Sequence, residues 1–237
     1  MSYNTTLYNF SLLNDDYYSQ FKPNINIDDY CFQMEHHIGR LLSIKKSMEL
    51  CKTLHGDYIE FGCWQGQSLY NTLNIMTNLD IKDKKVIGID CFEGIPIDYG
   101  HVNCREKLFN DTSYELCLSN IVNNSNNYPD LLSSVHVLKS FFKESDKILS
   151  FLNEKIVRKV CFVHLDCDVT KSCEEALNLL LENDMLNKEF ILQFDDWGIK
   201  TEIPEWFDSF SINLKQKWKI DELYETNLTK TFYFTLL

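Results

Sequence analysis

Tyr58-Ile59-Glu60-Phe61-Gly62-Cys63-Trp64-Gln65-Gly66-Gln67-Ser68 reads as a short apolar strand that runs into a glycine-punctuated turn. A polar, apolar-studded helix follows from Leu69 to Met76. Gly62 and Gly66 permit tight turning and close backbone approach, which a side chain would block. The helix that opens after Gly66 presents free N–H groups and the positive end of its dipole. That end suits the anionic part of a nucleotide-like ligand. Lys85-Val86-Ile87-Gly88-Ile89-Asp90 is then a second strand ending in a carboxylate, placed where an acid grips ribose hydroxyls.

Two readings compete for this pair of segments. A nicotinamide site calls for G-x-G-x-x-G, whereas Glu60, Gly62 and Gly66 make E-x-G-x-x-x-G, the looser pattern of S-adenosylmethionine enzymes. A buried strand and glycine turn in any α/β domain would look the same, so the motif alone leaves the matter open.

Composition narrows the class. The 237 residues fit one α/β domain, and a 44% hydrophobic fraction supplies a core without disulfide staples. The net charge of −12, with 23 basic residues that do not cluster, excludes a nucleic-acid partner, because phosphate binding needs a basic face. The three arginines, Arg40, Arg105 and Arg158, read as a compositional bias rather than as chemistry. Nine cysteines occur with no C-x-x-C pair, so structural zinc is not expected; several, within apolar runs, read as small buried hydrophobes. No leader pattern opens the sequence and no run of ~18 apolar residues occurs, so neither export nor membrane insertion is expected. Reduced thiols then point to the cytoplasm.

The periodicity predicts alternating elements. Residues 1–35 form an N-terminal arm or lid, and 36–237 a single core domain. A helix spans 34–54, with Ile38, Leu41, Leu42, Met48 and Leu50 as its apolar stripe and Gly56 as its C-terminal cap. Strands follow at 58–61, 86–90, 135–138, 159–166 and 189–194, with helices at 68–79, 113–122, 143–152 and 172–183 between them. A helix at 205–210 and an antiparallel pair, 218–224 and 231–236, close the chain. This is a doubly wound, mostly parallel, seven-stranded α/β sheet, Rossmann-like, with a reversed last strand and an N-terminal helical extension.

In such sheets ligands bind beyond the carboxyl ends of the strands. Asp90, Asp166, Asp168, Asp195 and Asp196 all fall at that edge. Five carboxylates in one crevice would resist ionising together, and a divalent cation such as Mg²⁺ would relieve them. Capping by Asp168 or Asp196 explains one acid per strand end, not two. His164, inside an apolar strand, reads as a core histidine; His36 and His37 read as surface or lid residues.

Four blocks together resemble the macrocin O-methyltransferase family, over roughly residues 40–237. They are Glu60 to Ser68, Asp90-Cys91-Phe92-Glu93-Gly94-Ile95-Pro96, Leu165-Asp166-Cys167-Asp168 with Ser172, and Phe194-Asp195-Asp196-Trp197-Gly198. The resemblance implies a class I S-adenosylmethionine-dependent enzyme that methylates sugar hydroxyls, often with Mg²⁺. It implies cofactor contacts from Glu60, Gly62, Cys63, Trp64 and Gly66, with Ser68 at the methionine carboxylate and Asp90, Cys91 and Phe92 around the ribose. Ser140 and Phe142 match the block near the adenine, with Ser140 in place of the family's glycine, and Asp166 is counted with the cofactor set as well. Asp166, Asp195 and Asp196 match the metal ligands. That set also resembles catechol O-methyltransferase, but Val169 stands where that enzyme carries its lysine base. Thr170 replaces the tyrosine usual in the macrocin-type block. Proton removal then falls to Asp166 or Asp168. Arm residues 1–30 and the loop 95–112, with Tyr17, Tyr18, Phe21, Tyr30, Tyr99 and Phe109, are expected to close over a sugar or other small-molecule acceptor. A phenolic acceptor, an inactive cofactor- or glycan-binding relative, and a homo-oligomer all stay open.

Overall fold

The computed structural model describes residues 27–95, 109–125, 129–198, 202–226 and 228–237, and side chains from Glu35 onward apart from that of Pro129. The predicted arm before residue 27 and most of the 95–112 loop, including Tyr17, Tyr18, Phe21 and Tyr99, lie outside the described residues, as does the Tyr30 side chain.

The elements follow in chain order: α1 (Ile27–Cys51), β1 (Asp57–Phe61), α2 (Gln67–Asn78), β2 (Val86–Asp90), α3 (Tyr114–Asn124), α4 (Pro129–Leu132) and β3 (Val135–Lys139). Then come α5 (Ser145–Glu154), β4 (Val160–Leu165), α6 (Thr170–Glu182), β5 (Leu186–Phe194), α7 (Glu202–Leu214), β6 (Trp218–Glu225) and β7 (Lys230–Leu236). The seven strands are ordered β3-β2-β1-β4-β5-β7-β6. Those from β3 to β5 pair in parallel, and β7 runs antiparallel to both of its neighbours. The order reverses between β1 and β4, where the first crossover leads one way and the later ones the other. A crevice opens at such a point beyond the strand ends.

Alternation along the central strands divides the core. Ile59, Phe61, Val163, Leu165, Leu192 and Phe194 face α5, α6 and α7. Tyr58, Phe162 and Ile191 face α1, α2 and α3. Every residue of β4 is buried, as covering on both faces requires.

Three expectations need correction. The stripe assigned to the first helix is only partly right: Met48 is buried and Leu41 half-buried. Ile38, Leu42 and Leu50 are exposed, while Ser43, Ile44, Ser47, Met48 and Cys51 are buried. Gly56 does not cap that helix, which ends at Cys51. It leads into β1 at φ +116, where a Cβ would stand 3.0 Å from the Lys159 carbonyl oxygen and the Cys161 nitrogen. Asp168 does not cap α6 either: Val169 holds the N-cap position, with no side-chain bond.

Candidate active site

The turn after β1 is fastened by Asp90 at the end of β2. Asp90 Oδ2 accepts from the amides of Cys63 (2.7 Å) and Trp64 (2.8 Å), and Oδ1 accepts from the amide of Phe92 (2.6 Å). Burial raises the pKa of this carboxyl, and the three amides pull it back toward the charged form. They also hold Trp64 (φ 43) and Phe92 (φ 55) in the left-handed region, which side chains seldom occupy. Gly62 sits at φ +91 with Asp166 behind it. A Cβ there would lie 1.8 Å from the Asp166 carbonyl oxygen. Only glycine lets β1 and β4 approach so closely.

A cavity of about 350 Å³ opens above these strand ends. Of the predicted cofactor residues, Gly62, Trp64, Asp90, Cys91, Ser140, Phe142 and Asp166 line it. Asp168 and Asp196 line it as well. Ser140 is anchored by its amide to the Asp90 carbonyl (2.8 Å) and by its hydroxyl to Glu144 (2.7 Å). Phe142 packs edge-on against Phe61, with ring centroids 5.2 Å apart. Trp64 and Phe109 form another wall, edge to face at 5.9 Å, and the Trp64 indole donates to Asp111 (2.9 Å).

Glu60, Cys63, Gly66, Ser68, Phe92 and Asp195 stand behind this lining. Cys63 and Phe92 contribute the amides that grip Asp90. Gly66 is the N-cap of α2 at φ 81. The Ser68 hydroxyl donates to Glu60, which also accepts from Tyr58 Oη at 2.5 Å. Glu60 is fully buried and 3.4 Å from His164 Nδ1.

The acids of β4 and β5 meet residues of α1. Arg40 Nη1 donates to Asp166 Oδ2 (2.8 Å) and to Asp195 Oδ2 (3.0 Å). Its Nη2 donates to His37 Nδ1 (2.8 Å), and His36 Nε2 bonds Asp195 Oδ2 (2.9 Å). His164 Nε2 lies 3.8 Å from Asp195 Oδ1. Asp196 Oδ2 accepts from the Asp168 amide (3.0 Å).

Charge follows from this packing. Burial opposes ionisation of Asp195, but Arg40, His164 and His36 overcome it and hold the group well below the usual carboxylate range. Asp166 is pushed up to about 7 by burial and by the charge of Asp195, with Arg40 pulling the other way. His37 is pushed down to about 3 by burial and by Arg40, so it stays neutral. Burial opposes protonation of His164, yet Asp195 and Glu60 raise it to about 10. His164 is thus a core histidine, as expected, and a charged one.

Among the described residues, His164, Asp166 and Asp195 are the group able to reach a common metal ion, with ligand atoms within 4.8 Å of one another. The expected set of Asp166, Asp195 and Asp196 is therefore not assembled. Asp166 Oδ2 and Asp195 Oδ2 already share a guanidinium, and Asp196 Oδ2 accepts from the Asp168 amide outside that group. In this arrangement the residues do not fit a divalent cation.

Arg40, His36 and His37 are the site residues that sequence reasoning missed. A signal existed: 36, 37, 40, 44 and 48 recur at three- and four-residue steps, one face of a helix. That face carries the buried Ile44 and Met48.

A family model described as macrocin-O-methyltransferase (TylF) matches residues 36–230. Among solved structures, the O-methyltransferase NovP superposes with a TM-score of 0.67 at 20% identity, covering 84% of this chain and 80% of that one. CalS11, a calicheamicin methyltransferase, gives 0.63 at 14% identity, covering 89% and 86%. An apo form of CalS11, described as a TDP-rhamnose 3'-O-methyltransferase, gives 0.57 at 13% identity, covering 94% and 92%. At such identities these likenesses bear on the fold. No curated protein matches the chain.

Proposed function

The chain belongs to the macrocin-O-methyltransferase family, whose members are S-adenosylmethionine-dependent O-methyltransferases, and we propose that it methylates a hydroxyl of a sugar or sugar-bearing small molecule. One observation carries the reading. The Asp90-fastened turn and the Arg40–Asp166 ion pair line a single cavity, with Asp195 behind the pair.

In this reading Asp90 receives the ribose hydroxyls. Its oxygens offer about four acceptor positions, and three are taken by amides. Ser140 and Phe142 flank the adenine, and the first turn of α2 faces the methionine carboxylate. The cofactor supplies an electrophilic methyl group on a sulfonium. The chain's part is to hold the acceptor oxygen in line and to remove its proton. Asp166, with a pKa near 7 and a place in the cavity wall, is suited to take that proton near neutral pH. Asp168, in the same wall, is the second candidate. Asp195 stays charged and keeps Arg40 seated. Trp64 and Phe109 offer aromatic faces to a sugar ring. Positioning supplies much of the rate, because displacement at carbon needs an in-line approach.

No helix among the described residues is long and apolar enough to cross a membrane. The seven described cysteines are free thiols, which supports a cytoplasmic setting.

The test is calorimetric titration of S-adenosylmethionine and its demethylated product into wild type and Asp90→Ala. Micromolar binding that Asp90→Ala weakens at least tenfold supports the assignment, and acceptors can then be screened from nucleotide sugars to phenols. Absence of binding to the wild type removes it and leaves a non-catalytic relative of the fold.

A further inference from the structure

Two carboxylate oxygens that converge on one point describe a cation site, and here one point is a nitrogen of the chain itself. Both hydrogens of Arg40 Nη1 are spent, one on Asp166 Oδ2 and one on Asp195 Oδ2. The guanidinium is further tied by Nη2 to His37, whose ring stacks on that of His36 with centroids 5.9 Å apart. His36 in turn bonds the same Asp195 oxygen. The base of α1 beneath Arg40 is fixed as well. Gly39 lies so close to Thr226 that a Cβ would stand 2.8 Å from its hydroxyl oxygen. One turn on, Tyr224 Oη bonds the Ser43 carbonyl (2.9 Å) and the Ser47 hydroxyl (2.5 Å). Arg40 is therefore not a loose surface side chain that strayed into an acid cluster. Its helix, its partners and its burial all specify the position.

We infer that Arg40 is the resident cation of this site, so that the Asp166–Asp195 pair takes up a divalent metal only when the guanidinium is removed. Mg²⁺ demands near-octahedral oxygen coordination at about 2.1 Å. The two Oδ2 atoms that converge there are already bound to Arg40, and the arriving ion would meet a fixed positive charge at close range. The guanidinium differs from a metal in a way that matters for chemistry. It binds carboxylates through directed hydrogen bonds and carries no open coordination position for an acceptor oxygen. Arg40 is accordingly a positioning residue: it holds Asp166 and Asp195 in register on the cavity wall. The inference stands on the geometry of the acid pair and rests on the proposed reaction only for that consequence, so the two can fail separately.

The experiment is Mn²⁺ binding to the full chain, followed by calorimetry and by the electron paramagnetic resonance signal of free Mn²⁺, with no cofactor or acceptor present. Wild type and Asp195→Asn should bind Mn²⁺ equally weakly. Arg40→Met should bind at least tenfold more tightly than wild type, and adding Asp195→Asn to it should abolish the gain. Arg40→Lys, which keeps the charge, should resemble wild type. Should Arg40→Met fail to fold, the comparison of wild type with Asp195→Asn decides alone. Tight Mn²⁺ binding by wild type that Asp195→Asn removes overturns the inference, as does equal affinity in wild type and a folded Arg40→Met.

Discussion

Gly62→Ala tests the glycine whose added Cβ would meet the tightest contact given for the described residues. The added methyl would stand 1.8 Å from the Asp166 carbonyl oxygen and 2.7 Å from its carbon, where contacts below 3.0 Å are essentially never found. The segments that follow β1 and β4 must therefore part by more than 1 Å. The alanine would also have to hold φ +91, at a cost of about 1–2 kcal/mol for an L residue. Overpacking a close contact adds about 1–3 kcal/mol. The sum, roughly 2–5 kcal/mol, is a large part of the ~5–15 kcal/mol that holds a domain of this kind together. Urea denaturation followed by far-ultraviolet circular dichroism should show a lower midpoint and an unchanged slope. The damage should reach the site too. Asp166 bonds Arg40 at 2.8 Å on one side and draws its own amide to the Phe61 carbonyl at 2.9 Å on the other. Displacement on the order of 1 Å costs such a group about 10²-fold in rate. At a temperature where the variant is folded, methyl transfer should fall by about that factor. A variant within 0.5 kcal/mol of wild type, with normal turnover, would refute the view that Gly62 is there to let β1 and β4 touch.

Two further outcomes follow from the buried charges. Asp166→Asn should lower kcat by roughly 10²–10⁴ and remove a pH limb. Because the charged carboxylate is the active form, the wild-type rate should rise with pH through about 7 and then level; an unchanged limb in the variant would move the proton to another group, Asp168 first. His164 concerns stability. Its pKa in the folded chain is about 10 against an ordinary 6.5, so the folded state binds the extra proton. That contribution is complete below 6.5 and is lost as pH rises through 10. His164→Gln should flatten the fall in urea midpoint between pH 7 and 10, and an equally steep fall in the variant would discard the charged-histidine assignment.

The strands were easy to read from the sequence, and the reason is local. Val86 to Asp90 is apolar until its last residue, and both its bounds and its terminal acid are found where the pattern puts them. Val160 to Leu165 is buried throughout, as its unbroken apolar run requires. The turn between Gly62 and Gly66 is legible for the same reason, because positive φ and close approach are written in the glycines themselves. The short helix Pro129–Leu132 was not read, since four residues carry no period. Nor could spacing separate Asp195 from Asp196. Alternation at the end of β5 turns Asp195 inward to Arg40 and leaves Asp196 to the Asp168 amide.

The error over α1 has a different origin, and it exposes what the helix is for. Register places Glu60 opposite His164, His164 opposite Gln193, and Gln193 opposite Thr231, so a row of buried polar groups crosses four strands on one face. A helix laid over such a row cannot present leucines to it. It needs small or hydrogen-bonding residues, and α1 supplies Arg40, Ser43 and Ser47 there, with Ile44 and Met48 packing beside them. Hydrophobic periodicity passes over the polar residues of that face, keeps Met48 from it, and adds the exposed Ile38, Leu42 and Leu50. The satisfaction of the row is uneven. Glu60 and His164 Nδ1 are engaged, while His164 Nε2, both polar atoms of Gln193 and Thr231 Oγ1 lack a hydrogen-bond partner among the described residues. A buried amide in that state costs about 1–3 kcal/mol unless ordered water reaches it. The chain therefore gives up apolar packing along the face that ends at Asp195 and Arg40. That expense is intelligible if the row exists to hold charges in place beside the cavity, and Gln193→Leu should test it by stabilising the fold while leaving the Arg40 ion pairs intact.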